Sequence, residues 1–133
     1  MSNDEIRMTN GGIVNVEKKQ EFDLEERTAA FSEQVIDFVN RLPKTVVTIP
    51  LMNQLIRSST SVGANYMEAD SAPTKKDFCY KISLCRKEAK ETFYWLRMLA
   101  RAIPEHGLSC KKLGQEAKEL TLIFSAIFRA SQK

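Results

Sequence analysis

Apolar and small residues recur every three or four positions in four successive segments of this chain, and that periodicity limits the possible folds more than any other feature. The spacing is that of one buried stripe along an amphipathic helix. The first three segments stop at or before Pro43, Pro73 and Pro104, and proline disfavours helical conformation in the residue that precedes it. Since no segment has the strict alternation of a strand, the sequence predicts an all-α fold.

Capping signals set the predicted start of three helices. Asp23 with Glu26 opens the first, Thr74 with Asp77 opens the third, and Ser109 is predicted to cap the fourth. The second begins around residues 48–50, since proline is tolerated in a first helical turn. The predicted buried positions are Leu24, Thr28, Phe31, Val35, Phe38 and Leu42; Met52, Leu55, Ser59, Val62, Tyr66 and Ala69; Phe78, Ile82, Cys85, Ala89, Thr92, Leu96, Leu99 and Ile103; and Leu113, Ala117, Leu120, Phe124 and Ile127.

Small residues fill the middle of the second helix, from Ser58 to Ala64. Their helix propensity is poor, but the stripe keeps its register through them, and small side chains let another helix approach closely. Because short connections make sequential helices neighbours, residues 23–133 are predicted to form an up-and-down antiparallel four-helix bundle. Residues 1–22 are polar, contain Gly11 and Gly12, and are predicted to be a mobile lead-in.

Composition excludes several classes of protein. With 133 residues, 43% hydrophobic and 28% charged, the chain is long enough for one globular domain. Its three cysteines form no CxxC pair, which favours a reducing cytoplasm over a disulfide framework or a zinc site. The acidic N-terminus and the lack of an apolar run of about 20 residues argue against secretion and membrane insertion.

Catalytic and cofactor patterns are scarce. The single histidine, His106, excludes the paired Glu-x-x-His motifs of di-metal bundles, and no nucleophile elbow or phosphate-cradling glycine loop is present. A carboxylate cluster of Glu68, Glu88 and Glu91 is the remaining enzymatic alternative, but spaced glutamates on a charged helix are usually solvated or paired. We therefore expect a non-enzymatic protein without cofactor or metal.

Charge is distributed unevenly along the chain. Residues 1–73 carry 7 basic and 11 acidic residues, whereas residues 74–133 carry 13 and 6. A basic face on the third and fourth helices can neutralise phosphates; the alternative is a solvated face whose cations pair with Glu88 and Glu91. The candidate nucleic-acid-binding residues are Lys81, Arg86, Lys87, Lys90, Arg97, Arg101, Lys111, Lys112 and Lys118.

Two stretches have more apolar surface than one buried stripe needs. Residues 93–99 and 120–128 are apolar on nearly every side, and such a helix must be covered on a second face. We expect a homo-oligomer that buries this surface, with one thicker core as the alternative. The candidate interface residues are Trp95, Met98, Leu122 and Phe128.

The runs QLIRSSTSVGANYMEA (54–69), KDF (76–78) and KEAKETFYWL (87–96) resemble the family of 23S rRNA intervening-sequence proteins. The resemblance covers about residues 24–128 and implies a left-handed up-and-down bundle, assembly as a ring-shaped homopentamer and a bacterial source. The family's signature polar residues fall on Arg57, Ser58, Ser61, Asn65, Glu68, Asp77, Glu88 and Glu91. Their spacing allows Arg57 to pair with Glu88 or Glu91 between helices, as a structural network or as a ligand site.

The resemblance does not imply an established activity. A similar bundle in the accessory protein of diversity-generating retroelements is a basic pentamer that binds nucleic acid, and this similarity favours RNA or DNA as the partner. Our leading hypothesis is a cytoplasmic, non-enzymatic homopentamer that binds structured RNA or other nucleic acid through the basic residues of the third and fourth helices. The alternative is a scaffold or accessory subunit that docks an unidentified protein through Tyr94 and Trp95 or the acidic first helix.

Overall fold

Four long helices make up almost all of the described chain. The structure is a computed structural model that describes the backbone of residues 16–133 and the side chains of residues 24–133. Its helices are α1 (Val16–Asn40), α2 (Thr48–Asp70), α3 (Lys75–Ala102) and α4 (Gly107–Ser131), with a 3-10 turn at Pro104–His106. Residues 16–133 contain no strand, so the prediction of an all-α fold is confirmed. None of the described helices is long and apolar enough to cross a membrane.

Contacts between side chains give the direction of each helix. The Ser32 hydroxyl donates to the Ser59 carbonyl at 3.0 Å, whereas the earlier α1 residue Thr28 faces the later α2 residue Gly63, so α1 and α2 run antiparallel. Likewise, Arg57 of α2 pairs with Glu88 of α3, whereas the later α2 residue Glu68 pairs with the earlier α3 residue Lys81. The Cys79 thiol near the start of α3 contacts the end of α4. Each helix is therefore antiparallel to the next in sequence.

The predicted stripes form the core. Every predicted position from Leu24 to Leu42 is buried, as are those from Ile82 to Ile103. Tyr66, Phe78 and Ile127 are half-buried and pack against this core. A fully buried leucine, valine or phenylalanine contributes about 1.5–3 kcal/mol relative to an exposed one, so the stripes supply the main stabilisation of the bundle.

The small residues of α2 allow close contact with both neighbouring helices. A Cβ atom added at Gly63 would lie 3.0 Å from Thr28 Oγ1 of α1. On the α3 side, the buried hydroxyls of Ser58 and Thr92 are hydrogen-bonded at 2.9 Å. The helix runs without interruption through this stretch, as the register predicted, because close packing offsets its poor helix propensity.

Two predicted helix starts are wrong. Helix α1 begins at Val16, so the Asp23–Glu26 pair lies inside it; residues 16–22 contain neither glycine nor proline, and the helix extends through them. Helix α4 begins at Gly107, without a side-chain cap, because the 3-10 turn leads directly into it and places Ser109 in its first turn. The predicted cap of α3 is confirmed, since the Asp77 amide donates to Thr74 Oγ1 at 3.1 Å. Residues 1–15 of the predicted lead-in lie outside the described chain.

Candidate functional site

A cleft runs between α3 and α4 and is lined by basic residues. It consists of a cavity of about 840 Å³ and a second of about 300 Å³. Phe93 and Lys118 line both cavities, so the two adjoin. We call this cleft the basic groove and define it by the six cations that line it: Arg86, Lys87, Lys90, Arg97, Lys111 and Lys118.

Helical periodicity explains why these cations meet. On α3, Lys90 and Arg97 lie seven residues apart, and Phe93 occupies the position between them on the same flank. On α4, Lys111 and Lys118 have the same separation. Residues spaced by three, four or seven share one face of a helix, so each helix contributes one flank, next to its buried stripe, to the groove.

The acidic residues of α4 lie on a different flank. Arg27 of α1 binds Glu116 through two hydrogen bonds, of 2.7 and 2.8 Å, and Glu119 through a third, of 2.9 Å. The hydrogen bond to Glu116 is the main cause that raises the pKa of the Arg27 guanidinium. Both glutamates thus share one cation at the α1–α4 contact and do not line the groove.

Two of the three acidic residues of α3, Glu88 and Glu91, pair with one arginine on the α2 side. Arg57 Nη1 lies 3.1 Å from Glu88 Oε1, and Nη2 contacts Glu91 Oε2. The Trp95 indole donates to the same Glu91 oxygen at 2.9 Å. Among the described residues that line the groove, Glu91 alone is acidic, and since its charge is shared with Arg57, the groove keeps a strong excess of positive charge.

Aromatic and aliphatic side chains lie among the cations of the groove. Phe93 and Tyr94 are 38% and 49% exposed, and Leu122 is 66% exposed. The Lys118 ammonium lies 5.6 Å from the centroid of the Phe93 ring, within the range of a cation–π contact. The ring lies beside Gly114 of α4, where an added Cβ atom would be 3.5 Å from it, in ordinary van der Waals contact. The groove therefore offers apolar surface beside positive charge.

Three of the nine predicted basic residues do not line the groove. The Lys81 ammonium forms an ion pair with Glu68 of α2, and this pairing raises the pKa of Lys81. Arg101 and Lys112 are exposed and line neither cavity, although each lies close in sequence to a residue that does. The structure brings the other six together.

The signature polar residues form separate contacts. The predicted pairing of Arg57 with Glu88 or Glu91 is present, with both glutamates. Ser61 and Asn65 instead bond within α2: the Ser61 hydroxyl donates to the Arg57 carbonyl at 2.7 Å, and the Asn65 amide to the Ser61 carbonyl at 2.8 Å. Ser58 binds α3, Glu68 pairs with Lys81, and Asp77 lies in the first turn of α3.

The predicted interface residues differ in exposure. Trp95 and Phe128 are half-buried and pack against the core, and the Arg86 guanidinium lies 4.7 Å from the Phe128 ring centroid. Met98 is half-buried as well. Only Leu122 of the four is largely exposed, and it lines the groove; other exposed apolar side chains, such as Val46 and Leu108, lie outside it.

The buried thiols have low nucleophilic reactivity. Burial raises the pKa of Cys85 to about 12 and that of Cys110 to about 11, and a protonated thiol is a poor nucleophile. Within the described residues, no group of three or more His, Cys, Asp or Glu side chains is placed to hold a metal ion. His106 lies against the core, its ring centroid 6.2 Å from that of Phe38.

Sequence reasoning missed the groove's non-basic lining. Phe93 was assigned only to a broad apolar stretch, and Thr121 and Ser125 of α4 were not singled out, although all three line the larger cavity. The sequence did contain a signal for two of these residues, because Thr121 and Ser125 continue the spacing of three and four residues that starts at Lys118.

Comparisons with known proteins agree on one family. Residues 20–125 match the family described as 23S rRNA-intervening sequence protein. The fold is similar to the crystal structure of a protein of unknown function from the S23 ribosomal protein family of Bacteroides thetaiotaomicron, with a TM-score of 0.69 and 28% sequence identity, covering 78% of this chain and 96% of that one. None of the curated proteins matches the sequence.

Proposed function

The chain belongs to the family of 23S rRNA-intervening sequence proteins, and on that premise we propose that it is a non-enzymatic bundle that binds nucleic acid through its basic groove. The observation that carries the proposal is the sorting of charge: six cations line one cleft, whereas Glu88, Glu116 and Glu119 of the same two helices lie outside it, and Glu91, its one acidic residue among those described, is paired with Arg57. A solvated face of mixed charge lacks this separation.

The mechanism is neutralisation of phosphates. Each lysine or arginine that contacts a phosphate releases condensed counterions, so affinity falls linearly with the logarithm of the salt concentration. The cations sit on two rigid helices rather than on loops, and a partner of regularly spaced negative charge can therefore contact several of them at once.

We further propose a cytoplasmic homo-oligomer, and specifically the pentamer that the family resemblance implies. Its support on the structure is the exposed apolar surface outside the groove, at Leu108 and at the loop residues Val46 and Val47. Several copies of one groove on a ring bind a long polyanion more tightly than one copy does, provided that the grooves face the same way.

Adjacent residues of the chain provide a matched test of the groove. Arg97 and Lys111 line it, whereas Arg101 and Lys112 lie on the same two helices and do not. The double variants Arg97→Glu with Lys111→Glu, and Arg101→Glu with Lys112→Glu, change the net charge equally. Binding to a labelled RNA is measured for both by fluorescence anisotropy over a salt series.

The groove variant is expected to bind more weakly and with a flatter salt dependence. Loss of two phosphate contacts lowers the slope of log K against log salt by about 1.4 for a single strand. The control variant is expected to keep most of the slope. Equal losses in the two variants would show that binding follows net charge and not the groove.

A protein partner is the second candidate function. Its support is that Tyr94 and Leu122 are about half or more exposed beside the cations, and exposed aromatic and arginine side chains are typical of protein interfaces. A scaffold docked through this surface binds its partner in a nuclease-treated sample at high salt, whereas nucleic acid binding is lost at high salt. Co-purification under these two conditions separates the candidates.

A further inference from the structure

The lining of the basic groove contains more than charge, and its aromatic part bears on the form of nucleic acid that fits. Phe93 and Tyr94 are adjacent on α3 and partly exposed, and both line the larger cavity. Phosphates gain nothing from an aromatic ring. A nucleobase does, since every base has a π-face that stacks on such a ring.

Phe93 is held in a position suited to a nucleotide. The ring lies beside Gly114 of α4, and 38% of the residue stays exposed. The Lys118 ammonium lies 5.6 Å from the ring centroid. An anion bound by Lys118 is therefore within one nucleotide of a base stacked on Phe93.

The accessibility of the bases favours one strand over two. In a duplex the bases are stacked on each other and their faces cannot reach Phe93, so a duplex offers the groove only its phosphates. Bases of a single strand are free to turn toward aromatic side chains.

We propose that the basic groove binds a single-stranded polynucleotide, with bases stacked on Phe93 and Tyr94 and phosphates on the flanking cations such as Lys90 and Lys118. This inference rests on the proposed function and specifies its ligand. Stacking and phosphate contacts need no 2′-hydroxyl, so RNA and DNA strands share the required chemistry.

The test removes the aromatic rings and keeps the charge. Phe93→Leu with Tyr94→Leu preserves apolar surface but abolishes stacking, and Tyr80→Leu is the matched control, since Tyr80 is an exposed aromatic residue of α3 that does not line the groove. The probes are labelled oligouridine and oligodeoxyuridine of about 12 nucleotides, within the usual 4–16 of such sites, and an RNA duplex of equal length.

The wild type is expected to bind single strands more tightly than the duplex. The double variant should lose about 10-fold or more in affinity for both single strands, with an unchanged salt slope because no cation is lost, and its affinity for the duplex should not change. Tyr80→Leu should behave as wild type. If the double variant does not fold, Tyr94→Leu alone gives the same comparison, since half of that side chain is exposed.

Other outcomes separate this inference from the function it rests on. Equal binding of duplex and single strand, with no effect of the aromatic substitutions, would overturn the stacking proposal and leave phosphate binding intact. Absence of binding to all three probes at low salt would overturn both. Because the two single-stranded probes differ only in the 2′-hydroxyl, a preference for oligouridine or for oligodeoxyuridine identifies RNA or DNA as the source of the strand, and either result supports the inference.

Discussion

Substituting alanine for glycine at two helical positions tests how the bundle packs. Gly63 lies in the middle of α2 and Gly114 in α4, and alanine in a helix interior is favoured over glycine by about 0.8–1 kcal/mol. At Gly114 the new methyl group would contact the Phe93 ring at 3.5 Å, an ordinary van der Waals distance. Gly114→Ala is therefore expected to stabilise the protein by up to about 1 kcal/mol.

Gly63→Ala is expected to have the opposite sign. Its methyl group would lie 3.0 Å from Thr28 Oγ1 and 3.3 Å from Thr28 Cβ. Thr28 is buried, and its hydroxyl donates to the Leu24 carbonyl at 2.8 Å, so it cannot turn away without breaking that bond. Overpacking of this kind costs about 1–3 kcal/mol, which exceeds the gain in helix propensity and leaves a net loss of up to about 2 kcal/mol.

Urea unfolding followed by circular dichroism measures both variants, at two protein concentrations so that assembly is accounted for. In a Thr28→Ala background the closest contact is gone, and the cost of Gly63→Ala should shrink. A Gly63→Ala protein as stable as the wild type or as Gly114→Ala would refute the close approach of α1 and α2.

Two further predictions concern charge and protonation. Arg57→Met should destabilise the protein by about 1–2 kcal/mol, because it leaves Glu88, whose side chain is only 13% exposed, beside Glu91 without a cation. A double-mutant cycle with Glu88→Gln measures the coupling energy between the two sites. Absence of coupling would contradict the prediction. Because burial raises the pKa of the Cys85 and Cys110 thiols to about 12 and about 11 from 9.0, the unfolded chain loses these protons first as pH rises. The free energy of unfolding should therefore fall above pH 9, by at most about 1.4 kcal/mol per pH unit for each thiol. In urea unfolding, the free energy of Cys85→Ala should fall less steeply between about pH 9 and 11 than that of the wild type. An identical fall would contradict the assignment.

The core was predictable from the sequence because it depends on periodicity alone. Positions such as Phe31, Leu55 and Leu99 were identified by their spacing and are fully buried. The continuity of α2 through Gly63 followed from the same register. Helix starts were less predictable: Asp23 and Ser109 have the chemistry of caps, but both lie within longer helices, where the backbone that precedes them is already helical.

The groove could be predicted only in part. Periodicity places Lys111 and Lys112 on different flanks of α4, but which flank faces α3 depends on how the four helices are arranged in space, and the buried stripes do not fix that. For the same reason, the sequence did not predict that Lys81 pairs with Glu68 or that Phe93 lines the groove. The pairing of Arg57 with Glu88 and Glu91 was predictable, because the signature polar residues have matching spacing along α2 and α3.

The central claim is that the basic groove binds nucleic acid, and a salt titration of the intact protein tests it most directly. Labelled single-stranded and duplex RNA are titrated by anisotropy, with the mass of the assembly recorded on the same sample. With six groove cations on a single strand, we expect sub-micromolar binding at low salt and a slope of log K against log salt of about −4 per groove. An intact oligomer that binds neither RNA at low salt would contradict the account and leave the protein scaffold as the better explanation.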